Sequence, residues 1–282
     1  MHTALVTTAT LAARLDDPRW VVFDCRHDLA RPDAGREAYL ESHLPGARFM
    51  DMDEDLAGPL TGANGRHPLP GPAAFAAKLG AAGVGEDSQV VAYDAQGGTS
   101  AARLWWMLRW LGHDAVAVLD GGLGKWRREE RPESAALPRI APARFEPRVR
   151  PLAVDLEFVA GHLRDPAMKL VDARSAERYR GEAEPIDPVA GHIPGSVNRF
   201  VGENLATGGV FKPAAQLRAE WQALLAGAPA EGVVHSCGSG VAACHNLLAM
   251  EVAGLSGSRL YPGSWSEWCA DPRRSVATGA AP

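Results

Sequence analysis

The chain has 282 residues, room for about two domains at roughly 100–200 residues each. Hydrophobic residues make up 46% of it, enough for a core in each half, and the formal net charge of -5 argues against the basic footprint of a non-specific nucleic-acid binder. Four cysteines (Cys25, Cys237, Cys244 and Cys269) are too sparse for a disulfide framework, no basic-then-apolar leader opens the chain, and no apolar run approaches the roughly 18 residues of a membrane span, so the expectation is a soluble cytoplasmic protein with reduced thiols and no membrane partner.

In chain order, VVFD, VVAYD and AVAVLD read as buried strands, with AAFAAKLGAAG and AARLWWMLRWLG as helices among them. Pro132, Pro138, Pro142, Pro147 and Pro151 then mark a stretch that cannot hold regular helix, read as a linker over 133–151. Beyond it KLVDA, GVVHS and SRLYP read as strands, and AAQLRAEWQALLAG and VAACHNLLAMEVAG as helices. Strands alternating with helices predict an α/β protein with a mostly parallel sheet flanked by helices in each half, 1–132 and 152–282. Gly112 and Gly254 sit where helices should be capped.

The second half repeats the first. WVVFDCR corresponds to MKLVDAR, SHLPGARF to GHIPGSVN, SQVVAYDAQGG to EGVVHSCGSGV, and LDGGLGKW to YPGSWSEW. These pair Arg26 with Arg174, His43 with His192, Asp94 with Cys237 and Trp126 with Trp268, in one order and at similar intervals. Four matches in order indicate a duplicated domain.

The chemistry concentrates at Cys237. It stands where GVVHS stops and a turn, Gly238-Ser239-Gly240-Val241-Ala242, leads into a helix. Ligands of open α/β sheets bind beyond the carboxyl ends of the strands. Glycines let such a turn curve with its N–H groups inward, and with the helix N-terminus these favour an anion: a thiolate, a persulfide or an anionic donor. A small buried core cysteine is the plain alternative. A zinc site from Cys237, Cys244, His235 and His245 has no standard spacing, so no metal is expected. A phosphatase loop needs Arg six positions after the cysteine, where Ala243 stands.

The two-copy layout with GHIPGSVN, CGSGVAAC and YPGSWSEW resembles the tandem-domain rhodanese family, the thiosulfate and 3-mercaptopyruvate sulfurtransferases, over nearly the whole chain. The resemblance implies two tandem rhodanese-like domains, with a catalytic second copy and an inactive first copy that carries Asp94 at the cysteine position. It implies sulfur transfer through a Cys237 persulfide, from a small anionic donor to a thiol, cyanide or thioredoxin, without a cofactor. The loop resembles the Cys-Gly-Ser-Gly-Val-Thr-Ala type of mercaptopyruvate enzymes, with Ala242 in the Thr position, rather than the basic Cys-Arg-Lys-Gly type of thiosulfate enzymes. That makes 3-mercaptopyruvate the expected donor and thiosulfate the alternative. A non-catalytic persulfide carrier is a further alternative.

By the same resemblance Arg178 matches an arginine that holds the donor's anionic end, and a planar guanidinium suits that task. A second family arginine, directly after Glu184-Pro185, is replaced here by Ile186 and Asp187, and Arg180 is the nearby substitute. Asp53 and His67 correspond to an Asp and a His proposed, with Ser239, to assist proton transfer. Asp24 with Arg26, and Asp172 with Arg174, occur in both copies and read as structural.

Overall fold

The computed structural model describes residues 1–281. The chain falls into two compact units. The first comprises Met1–Gly58, Leu69–Arg150 and Ala206–Phe211; the second comprises Pro59–Pro68, Pro151–Leu205 and the chain from Lys212 onward.

The first unit runs β1 (Leu5–Val6), α1 (Thr8–Ala12), β2 (Trp20–Asp24), α2 (Ala34–Glu41), β3 (Arg48–Phe49), α3 (Pro72–Ala81), β4 (Gln89–Tyr93), α4 (Thr99–Trp110), β5 (Val116–Leu119) and α5 (Gly122–Arg128). Its five strands are all parallel, in the order β1-β5-β4-β2-β3. Parallel strands covered on both faces become continuous apolar runs, and all five residues of β4 are buried. Val22, Val91, Tyr93, Leu119, Leu123 and Trp126 lie in one core cluster. Truncating a residue such as Trp126 to alanine would cost about 3–5 kcal/mol.

The second unit runs α6 (Leu156–His162), β6 (Lys169–Asp172), α7 (Ala176–Arg180), β7 (Val197–Asn198), α8 (Ala214–Leu225), β8 (Val233–Ser236), α9 (Ala242–Val252), β9 (Arg259–Leu260) and α10 (Ser264–Trp268). Its four strands are again all parallel, in the order β7-β6-β8-β9. Val159, Leu170, Val234, Tyr261, Trp265 and Trp268 share its core. The expected α/β architecture, two parallel sheets flanked by helices, is present.

Equivalent elements end in equivalent ways. Gly112 and Gly254 follow α4 and α9 with φ of 90° and 70°, and the next N–H groups, of His113 and Leu255, reach back to Leu108 and Met250. β2 and β6 each end in a buried ion pair: Arg26 Nη2 lies 2.6 Å from Asp24, and Arg174 Nη2 lies 2.8 Å from Asp172.

The units exchange two short segments, which polar contacts explain. In the first unit the Phe211 N–H donates to Asp120 and Arg128 donates to the Gly208 carbonyl. In the second, Gly65 (φ 79°) lies so close to Gly263 that a Cβ there would stand 2.8 Å from its carbonyl oxygen. The 133–151 stretch has no helix or strand. Among the described residues no helix is long and apolar enough to cross a membrane.

Candidate active site

Cys237 is the first residue past β8, in the central part of the second sheet, and is 3% exposed. α10 pins its backbone. The Cys237 N–H donates to Ser264 Oγ at 3.0 Å, the Cys237 carbonyl accepts the Trp265 N–H at 3.0 Å, and the Gly238 carbonyl accepts the Ser266 N–H at 2.9 Å. Gly240 has φ of 77°, and a Cβ there would strike the Pro262 carbonyl, so the turn demands glycine on both counts. α9 starts at Ala242, and its first N–H groups open at this turn.

The first unit displays what this loop geometry binds. Asp94, the repeat partner of Cys237, is fully buried past β4. Its carboxylate accepts N–H bonds from Gln96 (2.9 Å), Gly98 (2.8 Å), Ser100 (2.8 Å) and Ala101 (3.0 Å). The turn and the start of α4 thus ring a single anionic side chain. Ser239, Val241, Ala243 and Cys244 are the corresponding positions around Cys237.

The predicted partners in the second unit come to the same loop. His67 Nδ1 is 2.7 Å from Ser239 Oγ, and both side chains are buried. Arg178, on α7, donates to Glu184 at 2.7 and 3.2 Å and to Asp187 at 3.2 Å. A Cβ at Gly238 would be 3.7 and 3.8 Å from its two terminal nitrogens, so the guanidinium faces the loop. Glu184 also holds Arg174, at 3.3 Å, which ties Arg178 back to the end of β6. Burial raises the Glu184 carboxyl; the bonds from Arg178 and from the Asp187 and Ile186 N–H groups outweigh it and hold the group below its ordinary value.

Arg180 forms a two-pronged pair with Glu182 (2.7 and 2.7 Å) on the outer side of α7. Asp53 is an exposed residue of the first unit, and its N–H donates to Asp51. Val241 and Ala242 are half-buried at the start of α9.

Arg66 is the residue that sequence reasoning missed. Its Nη1 is 2.5 Å from Asp187, its N–H donates to Ser266 Oγ at 3.0 Å, and a Cβ at Gly238 would be 3.0 Å from its Nη2. Its one sequence signal is adjacency to His67 in GRHPLP. Burial raises Cys25 well above an ordinary thiol and pushes Cys269 up to about 11, so these two stay protonated. The Cys244 thiol donates to the Gly240 carbonyl.

A family model for the rhodanese-like domain matches residues 7–129 and again 155–271. A probable 3-mercaptopyruvate sulfurtransferase of Pseudomonas aeruginosa is 48% identical over 278 residues, covering 98% of each chain. The thiosulfate sulfurtransferase of Bos taurus is 35% identical, covering 99% of this chain and 97% of its own. Among solved structures, 3-mercaptopyruvate sulfurtransferase from Leishmania major superposes with a TM-score of 0.83 at 29% identity, over 94% of this chain and 74% of that one.

Proposed function

The chain belongs to the rhodanese family of sulfurtransferases, and from that premise we propose that it takes sulfane sulfur from 3-mercaptopyruvate as a persulfide on Cys237 and hands it to a thiol acceptor. The observation that carries this reading is the loop itself: a cysteine at the strand end, in a turn whose duplicate encircles a carboxylate with four N–H groups, with Arg178 facing it. Such a loop stabilises negative charge on sulfur before and after transfer.

The first half-reaction balances simply. The Cys237 thiolate attacks the donor's sulfur and the sulfur–carbon bond breaks. The electron pair goes to the carbon, which becomes the enolate of pyruvate. The proton of the donor's thiol passes to that carbon, leaving pyruvate and a persulfide anion on Cys237. Ser239 and His67, hydrogen-bonded at 2.7 Å, form the relay for that proton. In the second half-reaction an acceptor thiolate, a small thiol or reduced thioredoxin, attacks the outer sulfur and restores the Cys237 thiolate; cyanide serves equally. The four free cysteines support a reducing, cytoplasmic setting.

Thiosulfate is the competing donor, supported by the resemblance to the bovine enzyme. Against it stands the loop, which follows Cys237 with Gly238-Ser239-Gly240 and no basic residue. Steady-state kinetics with the two donors side by side decides: a higher kcat/KM for 3-mercaptopyruvate is expected, and a higher value for thiosulfate would overturn the donor assignment.

A further inference from the structure

We infer that Ser264 is a positioning residue for sulfur transfer: its hydroxyl, held at a strained left-handed corner, fixes the backbone of Cys237 so that the sulfur keeps one place as thiolate and as persulfide. The inference rests on the sulfurtransferase reading and adds a residue that acts through the nucleophile. Ser264 is the first residue of α10, fully buried, with φ of 53°. A side chain in that region of backbone space is strained, because its Cβ crowds the backbone. Among the described residues two other non-glycine residues share a positive φ, Glu130 and Ala226. Both lie just past a helix, α5 and α8, where a left-handed residue closes the helix end. Ser264 stands at the start of its helix, where that explanation does not apply.

The first copy shows what the strained serine adds. Gly122 is the repeat partner of Ser264 in LDGGLGKW and YPGSWSEW, and its φ is 51°. Glycine takes this corner without steric cost. The next residue does the same task in both copies. The Leu123 N–H donates to the Asp94 carbonyl at 2.9 Å, and the Trp265 N–H donates to the Cys237 carbonyl at 3.0 Å. A Cβ on Gly122 would stand 2.5 Å from the Asp94 carbonyl oxygen, so the first copy has no room for serine. The second copy holds one, and its hydroxyl is fully used. It accepts the Cys237 N–H at 3.0 Å and donates to the Tyr261 carbonyl at 2.9 Å. The bond to Tyr261 turns the hydroxyl hydrogen away and leaves a lone pair for the Cys237 N–H. Cys237 is thus clamped on both sides, its N–H by Ser264 and its carbonyl by Trp265. Two clamped peptide groups fix the direction of the Cα–Cβ bond between them, and with it the place of the sulfur. A misplacement of about 1 Å in a reacting group can slow a reaction on the order of 10²-fold. Asp94, whose carboxylate four N–H groups already hold in one place, keeps the glycine.

The test sets stability against activity. Ser264→Ala and Ser264→Gly both remove the hydroxyl, and only glycine relieves the strain. In chemical denaturation Ser264→Gly should therefore unfold at a higher denaturant concentration than Ser264→Ala. Activity should not follow that order. The kcat for 3-mercaptopyruvate should fall by about tenfold or more in both variants, with KM little changed. Alkylation of Cys237 by iodoacetamide, read by mass spectrometry at one fixed pH, needs no sulfur donor and should slow in both. Ser264→Gly decides the matter where Ser264→Ala does not fold. A folded Ser264→Gly protein with wild-type kcat and wild-type alkylation would overturn the inference, because the backbone corner alone would then suffice. A kcat that recovers from alanine to glycine in step with stability would overturn it too, leaving Ser264 a structural residue. Alkylation that slows in both variants of a protein with no turnover of 3-mercaptopyruvate would uphold the positioning role and overturn the proposed donor instead.

Discussion

His67 Nδ1 and Ser239 Oγ stand 2.7 Å apart, although 172 positions separate them in the chain. The pair puts an imidazole, a group suited to carrying a proton near neutral pH, behind a hydroxyl two residues from Cys237. Breaking the carbon–sulfur bond of 3-mercaptopyruvate makes a carbanion that must be protonated; breaking thiosulfate releases sulfite and needs no proton. Ser239→Ala and His67→Ala should therefore lower kcat for 3-mercaptopyruvate by about 10²-fold or more while changing kcat for thiosulfate far less. Equal losses with both donors would mean that the pair only supports the loop.

Arg178 offers a second test. Arg178→Ala removes a guanidinium that faces Gly238 and leaves buried Glu184 with Arg174 and the Ile186 and Asp187 N–H groups. The kcat/KM for either anionic donor should drop by about tenfold or more, and Arg178→Lys should recover part of it, since lysine keeps the charge and loses the fork. Ile186, exposed beside this cluster, can be changed to arginine. Ile186→Arg should raise kcat/KM for 3-mercaptopyruvate more than for thiosulfate. A donor preference that stays the same would mean that position 186 takes no part in choosing the donor.

The duplicated loop predicts its own asymmetry. Asp94→Ala would leave four inward N–H groups without an acceptor and should destabilise the protein by about 1–3 kcal/mol or more in chemical denaturation. Asp94→Cys should not become a second active site, because Gln96 stands where the other loop has Ser239. After treatment with 3-mercaptopyruvate it should still carry one added sulfur per chain. Two would contradict the division of labour between the copies.

Acid should weaken the strand that presents the nucleophile. His235 lies on β8 two residues before Cys237, packs edge-on against Trp221 and has its Nδ1 buried without a hydrogen-bond partner among the described residues. Burial pushes its pKa from 6.5 down to about 3. The unfolded chain therefore binds a proton near 6.5 and the folded chain only near 3, so protons favour unfolding across that window. Stability should fall as pH drops through it, by about 5 kcal/mol once complete. Denaturant titrations at about pH 7 and about pH 4.5 should differ less for His235→Gln than for wild type. An identical pH dependence in the variant would remove His235 as the cause.

Much of this was legible in the sequence for a physical reason. Strands buried on both faces must be apolar throughout, so β2, β4, β6 and β8 stand out as VVFD, VVAYD, KLVDA and GVVHS. β1, β3 and β7 have two residues each, too few to carry a period, and only their neighbours in the sheet define them, whereas the equally short β9 is marked by SRLYP. Cys237 is legible because a glycine turn between a strand and a helix is a local pattern. The ring of N–H groups on Asp94 is not, since it depends on backbone directions. Arg66 was hidden twice over: arginine is ordinarily a surface residue, and nothing in GRHPLP tells that Ser266 and Asp187 hold it.

The central claim is that sulfur rides on Cys237, and intact-protein mass spectrometry with peptide mapping reads it directly. The protein is treated with 3-mercaptopyruvate, then with an acceptor thiol. One added sulfur atom per chain is expected after the first step, mapped to the peptide bearing Cys237 and lost after the second. It should be absent from a folded Cys237→Ser variant, which should also have lost turnover, since a serine hydroxyl is a far weaker nucleophile. Variants of Cys25, Cys244 and Cys269 should still take up the sulfur. Sulfur found on one of those three cysteines, or turnover retained by folded Cys237→Ser, would contradict the account.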